Sequence, residues 1–597
     1  MCGIIGYAGK RENESLEVVM NGLSGLEYRG YDSAGVAIAN STIDVFKREG
    51  ELSALEEAIP TTPVPGVVGI GHTRWSTHGE PSDRNAHPHT DCQGTVAVVH
   101  NGIIENFRSL REDLEAAGHT FESDTDTEVV PHLIEHERTN GANPAEAFRR
   151  AVDQLEGSYA LAAVFEGDHT LYATRQESPL VVGLGEDGYY LASDVPAFIE
   201  YTDTVVYLED GEFVQLDPSG LEVTDSQGNP AETTTDTIAW DPEDAGKSGY
   251  DHYMLKEIHE QPTAIRKCLR GRLQELEESV SIESLSNVSE PGAVHFVACG
   301  TSYYAALYGA RLFRERGIWA QAFLASEYDP EVIPVDDDTM VVGVTQSGET
   351  ADTLSALRGA NRAGVETIAV TNVVGSSAAR KCDHTLFIRA GPEIGVAATK
   401  TFASQQTALV LLSSALTSHD DPDLIRALRD LPDQLQSILD ASRADAVAET
   451  YGDADAYFVI GRGYTEPVAY EGALKMKEIT YKHAEGFAAG ELKHGPLALV
   501  TERTPVFALV SDNDKAQKTI GNVKEVEARS APVVAITDAP ELVDPYADFL
   551  LEVPKTHEWL MPILGNVHLQ LVAYSIANQL GRSIDKPRNL AKSVTVE

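Results

Sequence analysis

A cysteine stands at position 2, behind the initiator methionine and ahead of Gly3. Removal of Met1, which a small second residue favours, leaves this thiol beside a free α-amine. With a pKa of about 8, that amine is suited to take the thiol's proton and generate a nucleophile. The alternative is a small apolar residue in a first strand. Three Gly-rich polar loops supply matching chemistry: residues 71–79 (GHTRWSTHG), His100-Asn101-Gly102 and Ser123-Asp124-Thr125-Asp126. Acyl transfer from an amide needs donors for an oxyanion, and an Asn101 side chain beside the Gly102 amide supplies two. An amino acid needs a cation for its carboxylate and an anion for its amine; Arg74 suits the first and Asp126 the second. Turn and capping roles are the competing reading of these loops.

A second group of residues points to phosphate and carbonyl chemistry. Thr345-Gln346-Ser347-Gly348-Glu349-Thr350 follows an apolar run and precedes a helix expected from about Ala351, so its hydroxyls and amides form an anion site. Cys299-Gly300-Thr301-Ser302 follows another strand and adds a hydroxyl. No GxxxxGK[ST] run occurs, which favours a sugar phosphate over a nucleoside triphosphate. Lys475, Lys477, Lys482 and Lys493 cluster with Glu471, Glu478, His483, Glu485, Glu491 and His494. Lysine forms Schiff bases with carbonyls, and Glu or His shuttles the adjacent proton. Some of these are expected to be helix pairs, such as Glu471 with Lys475, on a solvated face. His72, His78, His87 and His89 fit no zinc spacing and have no accompanying cysteine, and the five cysteines form no CxxC pair. Neither a metal nor a cofactor is expected.

The elements that must position these residues fall into two textures. Residues 1–225 alternate short apolar runs with Gly-rich turns: Ile4 to Tyr7, Gly35 to Ala39, Val67 to Gly71, Thr95 to Val99 and Tyr159 to Phe165. This pattern predicts a strand-rich α+β domain. Residues 226–249 are polar and rich in turn formers and read as a linker. From residue 250 onward, apolar strands alternate with amphipathic helices, as in parallel βαβ units. One set comprises Val294 to Ala298, Thr339 to Thr345, Thr367 to Thr371 and Thr385 to Ile388. A second comprises Phe458 to Ile460, Pro505 to Val510, Val533 to Thr537 and Phe549 to Val553. Phe296 and Phe458 lie 162 apart, and Thr345 with Ser511 and Thr371 with Thr537 both lie 166 apart, so the half reads as a duplication. Two tandem doubly wound α/β domains, 250–430 and 431–597, are expected, with ligands beyond the carboxyl ends of their strands. Ser511-Asp512-Asn513-Asp514, the second copy's equivalent of the anion loop, is acidic and unsuited to phosphate.

At 597 residues with 42% apolar and 23% charged content, the chain is globular and too long for a single core. A net charge of −47 makes nucleic acid an unlikely partner. With lysine depleted to 17 against 29 arginines, this acidity reads as that of a halophile's protein, whose self-repulsion salt screens. The start has no basic leader, no apolar run reaches 18 residues, and the cysteines form no framework, so a cytoplasmic protein with no membrane partner is expected.

Taken together, the motifs resemble those of the glutamine:fructose-6-phosphate aminotransferases (isomerizing), the glucosamine-6-phosphate synthases, over nearly the whole chain. The resemblance rests on Cys2-Gly3-Ile4, the run from Leu26 to Gly35 (LEYRGYDSAG), His72-Thr73-Arg74-Trp75 and the run from His100 to Asn106. It extends through Gln346 to Thr350, Glu471 to Glu478, Gly490 to Pro496 (GELKHGP) and the tail from Asn589 to Glu597. It implies an N-terminal-nucleophile glutaminase domain of α+β type followed by two tandem α/β sugar-isomerase (SIS) domains.

The resemblance further implies that Cys2 attacks the side-chain amide of L-glutamine, that Asn101 and Gly102 hold the oxyanion, and that Arg74, Thr77 and Asp126 bind the amino-acid ends. Trp75 would gate a channel carrying ammonia to a second site. There Ser302, Gln346, Ser347 and Thr350 would bind fructose 6-phosphate and His494 would open its ring. Lys592 would form the ketimine, Glu478 would move the proton between C1 and C2, and Lys475 would assist. The implied product is glucosamine 6-phosphate, the first step of hexosamine synthesis, and the implied assembly is a homodimer. Two positions depart from the family pattern: Thr345 and Ala398 stand where serine is usual. Thr345 keeps the hydroxyl; Ala398 loses it, and no side-chain binding role is carried onto it. A phosphoribosyl-type amidotransferase would share the cysteine domain but carry a different acceptor domain, and a sugar-phosphate sensor would need neither Cys2 nor Lys592.

Overall fold

The computed structural model describes residues 2–76, 78–238, 246–274, 278–417 and 421–595. The chain divides into two compact units, Met1–Pro242 with Ala591–Glu597, and Glu243–Leu590.

The N-terminal unit is built on two antiparallel sheets. The first runs, in spatial order, through Thr235–Thr237, Thr204–Tyr207, Val181–Leu184, Gly188–Ala192, Gly3–Gly9, Val68–Arg74, Ser33–Ala39 and Ile43–Glu49. The second runs Gly220–Thr224, Phe213–Asp217, Leu171–Gln176, Gly157–Phe165, Val96–Ile104 and His89–Thr90. Because side chains alternate along a strand, one strand can serve two cores. Ile4 and Ala8 pack with Ala97, Val99, Ala160 and Leu171 between the sheets. Ile5 and Tyr7, on the opposite face, meet the helix Ser15–Leu26 through Val19 and Leu23. A β-carbon on Gly22 would lie 2.6 Å from the Ile5 side chain, so the missing side chain sets how closely that helix lies on its strand. Helices Phe107–Ala116, Val129–Thr139 and Pro144–Val152 cover the outer face of the second sheet through Val98, Leu133, Phe148 and Leu161. The result is a helix–sheet–sheet–helix arrangement. The run read as a linker contributes the edge strand Thr235–Thr237, paired with Thr204–Tyr207.

The second unit holds two five-stranded parallel sheets of identical order among the described residues. The first is Trp319–Leu324, Ala293–Ala298, Thr339–Val344, Glu366–Thr371, His384–Phe387; the second is His483–Ala488, Ala456–Gly461, Val506–Val510, Val533–Thr537, Phe549–Glu552. Each copy thus has the strand order 2-1-3-4-5, and the switch point lies between the first and third strands. The repeat expected from the 162- and 166-residue offsets is present, with one strand per copy that the pattern did not reveal. Those two, Trp319–Leu324 and His483–Ala488, are edge strands whose side chains alternate between buried and exposed, so they lack a continuous apolar run. The two copies share one apolar core that reaches from Met254 and Phe296 to Tyr457, Leu569 and Ile576. Gly472 lets the helix Glu466–Thr480 approach Met561–Gln579, since a β-carbon there would sit 2.5 Å from Leu569. Among the described residues no helix is long and apolar enough to cross a membrane.

Candidate active site

Cys2 lies where the first strand begins, opposite the end of Val68–Arg74. Its sulfur accepts a hydrogen bond from the Trp75 amide at 3.3 Å and lies 3.4 Å from the Trp75 carbonyl. Its carbonyl accepts from Arg29 Nε at 3.1 Å and from Asn101 Nδ2 at 3.0 Å, which fixes the Cys2 backbone. Arg29 is itself buried and pairs with Asp194 at 3.1 Å. The close approach depends on Gly30, where a β-carbon would lie 2.6 Å from the Arg74 carbonyl carbon.

Asn101 is oriented from behind. His72 Nε2 lies 2.9 Å from the His100 carbonyl and 3.1 Å from Asn101 Oδ1. Burial first, and then the Arg74 charge, pull His72 down to about 3, so the ring is neutral at pH 7. With two oxygen acceptors on that side, its single proton belongs on Nε2. Asn101 therefore turns Nδ2 toward Cys2, and with one N–H on the Cys2 carbonyl it keeps a second for an oxyanion. The adjacent Gly102 has φ +127°, and a β-carbon would lie 2.0 Å from the Ser158 carbonyl oxygen, so only glycine holds this amide in place.

Arg74 is buried, and Nη2 donates to the carbonyls of His78 and Gly79. Its Nη1 is buried without a hydrogen-bond partner among the described residues, an orphan donor suited to a ligand carboxylate. Asp126, also buried, accepts from the Ile104 amide at 2.8 Å and lies 4.0 Å from His100 Nδ1. Trp75 packs edge-on against Tyr31 with centroids 5.6 Å apart. Thr77 lies outside the described residues.

In the second unit, the loops after the first and third strands of the first copy carry the hydroxyls expected from sequence. Thr345 Oγ1 accepts from the Gly348 amide and lies 3.2 Å from Thr350 Oγ1, so the threonine hydroxyl braces the turn. Gly348 has φ +69°, which the turn requires. Ser302 Oγ accepts from Gln405 Nε2 at 2.9 Å. In the second copy the corresponding loop is occupied internally: the Asp512 amide donates to Asp538, and Lys555 pairs with Asp512.

Of the lysine-rich window, the structure brings three residues together. Lys475 Nζ lies 2.5 Å from Glu478 Oε2, 3.4 Å from Glu471 Oε1 and 3.2 Å from Thr301 Oγ1, next to Ser302. The Glu471–Lys475 pair sits one turn apart on a helix as expected, but both side chains are 0% exposed, so the solvated face is corrected to a buried one. Burial pushes Glu471 up to about 8, opposed by the Lys475 charge. Burial acts to lower Lys475, but the Glu471 and Glu478 carboxylates outweigh it and hold the ammonium above its ordinary value. A lysine held protonated is a poor amine nucleophile. Lys477, Lys493 and His494 are exposed, and Lys482 donates to the Ala454 carbonyl. Lys592 is half-buried in the tail that clusters with the N-terminal unit.

Family models match on both units: a glutamine amidotransferase domain over residues 72–200, and a SIS domain twice, over 288–415 and 451–578. The chain is 49% identical to a glutamine–fructose-6-phosphate aminotransferase (isomerizing) of Halobacterium salinarum, over all of both chains. It belongs to this aminotransferase family. Full-length identity to a Thermus thermophilus member is 46%. Among solved structures, the C-terminal domain of glucosamine-fructose-6-phosphate aminotransferase from Francisella tularensis superposes with TM-score 0.53 at 34% identity, covering 57% of this chain and 100% of that one. Family membership brings the α+β glutaminase reading and the tandem SIS reading together in one chain.

Two contributors escaped the sequence reading. Arg29 stands in a motif without an assigned role, and His72 enters only as a metal-ligand candidate and as part of the His72-Thr73-Arg74-Trp75 motif. An arginine flanked by Tyr28 and Gly30 is the available signal for the first; orientation of an amide through a neighbouring ring has no signal in one sequence.

Proposed function

We propose that this chain hydrolyses L-glutamine and transfers the ammonia to fructose 6-phosphate, with ketose–aldose isomerisation, giving glucosamine 6-phosphate and glutamate. The observation that carries this is the Cys2 centre: a sulfur on the Trp75 amide and a carbonyl held by Asn101 Nδ2, with Gly102 next in the strand, on a chain that also holds the Lys475–Glu478 pair. The Cys2 thiolate attacks the side-chain carbonyl of glutamine, and the resulting oxyanion is held by Asn101 Nδ2 and the Gly102 amide. Arg74 and Asp126, with Thr77, bind the amino-acid ends. Ammonia leaves past Trp75, and water hydrolyses the thioester to glutamate.

At the sugar site, Ser302, Gln346, Ser347 and Thr350 hold the phosphate and His494 opens the ring. Lys592 condenses with the C2 carbonyl, releasing water. Ammonia displaces Lys592 from C2, and Glu478 then moves a proton from C1 to C2. One nitrogen leaves each glutamine and one enters each sugar, so one glutamine is used per sugar, and the water consumed at the thioester equals the water released at the ketimine. Lys475, kept cationic, supports the developing negative charge and leaves imine formation to Lys592. We place the enzyme in the cytoplasm of a halophile, supported by five unpaired cysteines and a net charge of −47, and take the homodimer as what the family resemblance implies.

Borohydride reduction tests the sugar half. With fructose 6-phosphate present, it should fix the sugar on Lys592, and Lys592→Arg should lose both the label and the synthesis while Cys2 still hydrolyses glutamine. No label at Lys592, with near-normal synthesis by Lys592→Arg, would refute the assignment.

A further inference from the structure

Within the N-terminal unit, a cluster of ligand-type side chains takes no part in the chemistry above. Cys92 sits in the turn between His89–Thr90 and Val96–Ile104, His119 follows the helix Phe107–Ala116, and His132 and Glu135 lie one turn apart on Val129–Thr139. One donor atom from each lies within 4.8 Å of all the others. Cys92 Sγ is 3.8 Å from His119 Nδ1 and 3.6 Å from His132 Nδ1; Glu135 Oε2 is 3.0 Å from His119 Nδ1 and 3.6 Å from His132 Nδ1. A tetrahedron with bonds of about 2.0–2.3 Å has edges of roughly 3.3–3.8 Å, which these four separations nearly span.

We propose that Cys92, His119, His132 and Glu135 form a structural site for one divalent zinc ion. Thiolate and imidazole favour zinc over calcium or magnesium, which take oxygen ligands. One thiolate and one carboxylate balance the charge of the ion. Four protein ligands close the coordination sphere, as in structural rather than catalytic zinc sites. Outer contacts hold the ligands in place: Gln93 Nε2 donates to Glu135 Oε1 at 3.3 Å, the Cys92 amide to Glu135 Oε2 at 3.2 Å, and Glu128 Oε1 lies 3.7 Å from His132 Nε2. Cys92 is exposed and His119 half-buried, which gives the ion a path in, while His132 and Glu135 are buried. Spacing searches miss the site because its ligands, spread from residue 92 to 135, meet only through the fold.

The site would pin the loop that carries Asp126. Glu128, beside His132, accepts from the amides of Glu122 and Ser123 and from Ser123 Oγ, all at 2.7 Å. Zinc on His132 would fix the start of that helix and with it the loop.

The test is metal analysis of the full-length protein after incubation with stoichiometric zinc and gel filtration, followed by cobalt substitution. One zinc per chain is expected. Cobalt should give a thiolate charge-transfer band and the intense visible bands of tetrahedral coordination. Cys92→Ser alters an exposed position, so folding is preserved; it should abolish the thiolate band and weaken zinc binding by more than the roughly 10–100-fold that loss of an outer-shell partner costs. His119→Gln should weaken it likewise. Substoichiometric zinc, cobalt bound without a thiolate band, or unchanged zinc binding by Cys92→Ser would each overturn the proposal and leave the cluster as a hydrogen-bonded knot.

Discussion

Asn101 offers the sharpest perturbation of the glutaminase centre. Its Oδ1 faces His72 Nε2 at 3.1 Å and its Nδ2 faces the Cys2 carbonyl at 3.0 Å, so the amide is locked in one orientation with one N–H in reserve. Asn101→Ala removes one of the two proposed oxyanion donors. Loss of one such donor costs about 10²–10³ in kcat, or about 2.7–4 kcal/mol of transition-state stabilisation. In the proposed mechanism ground-state binding rests on Arg74 and Asp126, so KM for glutamine should hardly move. The Cys2 carbonyl keeps its Arg29 hydrogen bond and His72 Nε2 keeps the His100 carbonyl, so the stability cost should stay near the ~2 kcal/mol of the two hydrogen bonds lost. Asn101→Asp preserves the shape and satisfies His72, but turns a carboxylate oxygen toward the Cys2 carbonyl and the incipient oxyanion. It should therefore be worse than alanine. The assay is glutamate release at saturating fructose 6-phosphate, with a melting curve to exclude unfolding. A fall in kcat of less than about tenfold in Asn101→Ala, or aspartate performing like asparagine, would refute the oxyanion assignment.

Two further outcomes follow from charge. Glu471, raised from 4.5 to about 8 by burial, favours folding fully below pH 4.5, and this stabilisation is lost as pH rises through 8. Glu471→Gln never ionises, so its denaturation midpoint should rise relative to wild type as pH rises from 5 to 9; a gap independent of pH would contradict this. At a net charge of −47, dialysis into low salt should lower the melting temperature and activity, and full retention of both would count against adaptation to high salt.

How much the sequence reveals depends on whether the signal is local. Cys2, Arg74 and the Asn101-Gly102 pair stand in short Gly-containing runs whose residue types match one chemistry. The runs read as loops, but Arg74 ends the strand Val68–Arg74 and Asn101 and Gly102 lie within Val96–Ile104, and the structure brings the Asn101 side chain to the Cys2 carbonyl and the Trp75 amide to its sulfur. Central parallel strands such as Val533–Thr537 are buried on both faces and read as unbroken apolar runs. The edge strands Trp319–Leu324 and His483–Ala488 are half-exposed and blend with loop composition. Burial was the least legible property. Glu471 and Lys475 carry the i,i+4 pattern of a surface pair, yet the helix Met561–Gln579 packs against their helix and both are buried. The Cys92 cluster is invisible for a related reason, since three separate elements contribute its ligands.

Glutamine labelled with ¹⁵N at the side-chain amide tests the central claim most directly. Incubated with fructose 6-phosphate, the enzyme should yield glucosamine 6-phosphate carrying ¹⁵N and one glutamate per sugar, even with unlabelled ammonium in the buffer, and Cys2→Ala should release no glutamate from glutamine. Product that draws its nitrogen from the buffer, or Cys2→Ala transferring the label undiminished, would contradict a Cys2-dependent supply of ammonia to the sugar.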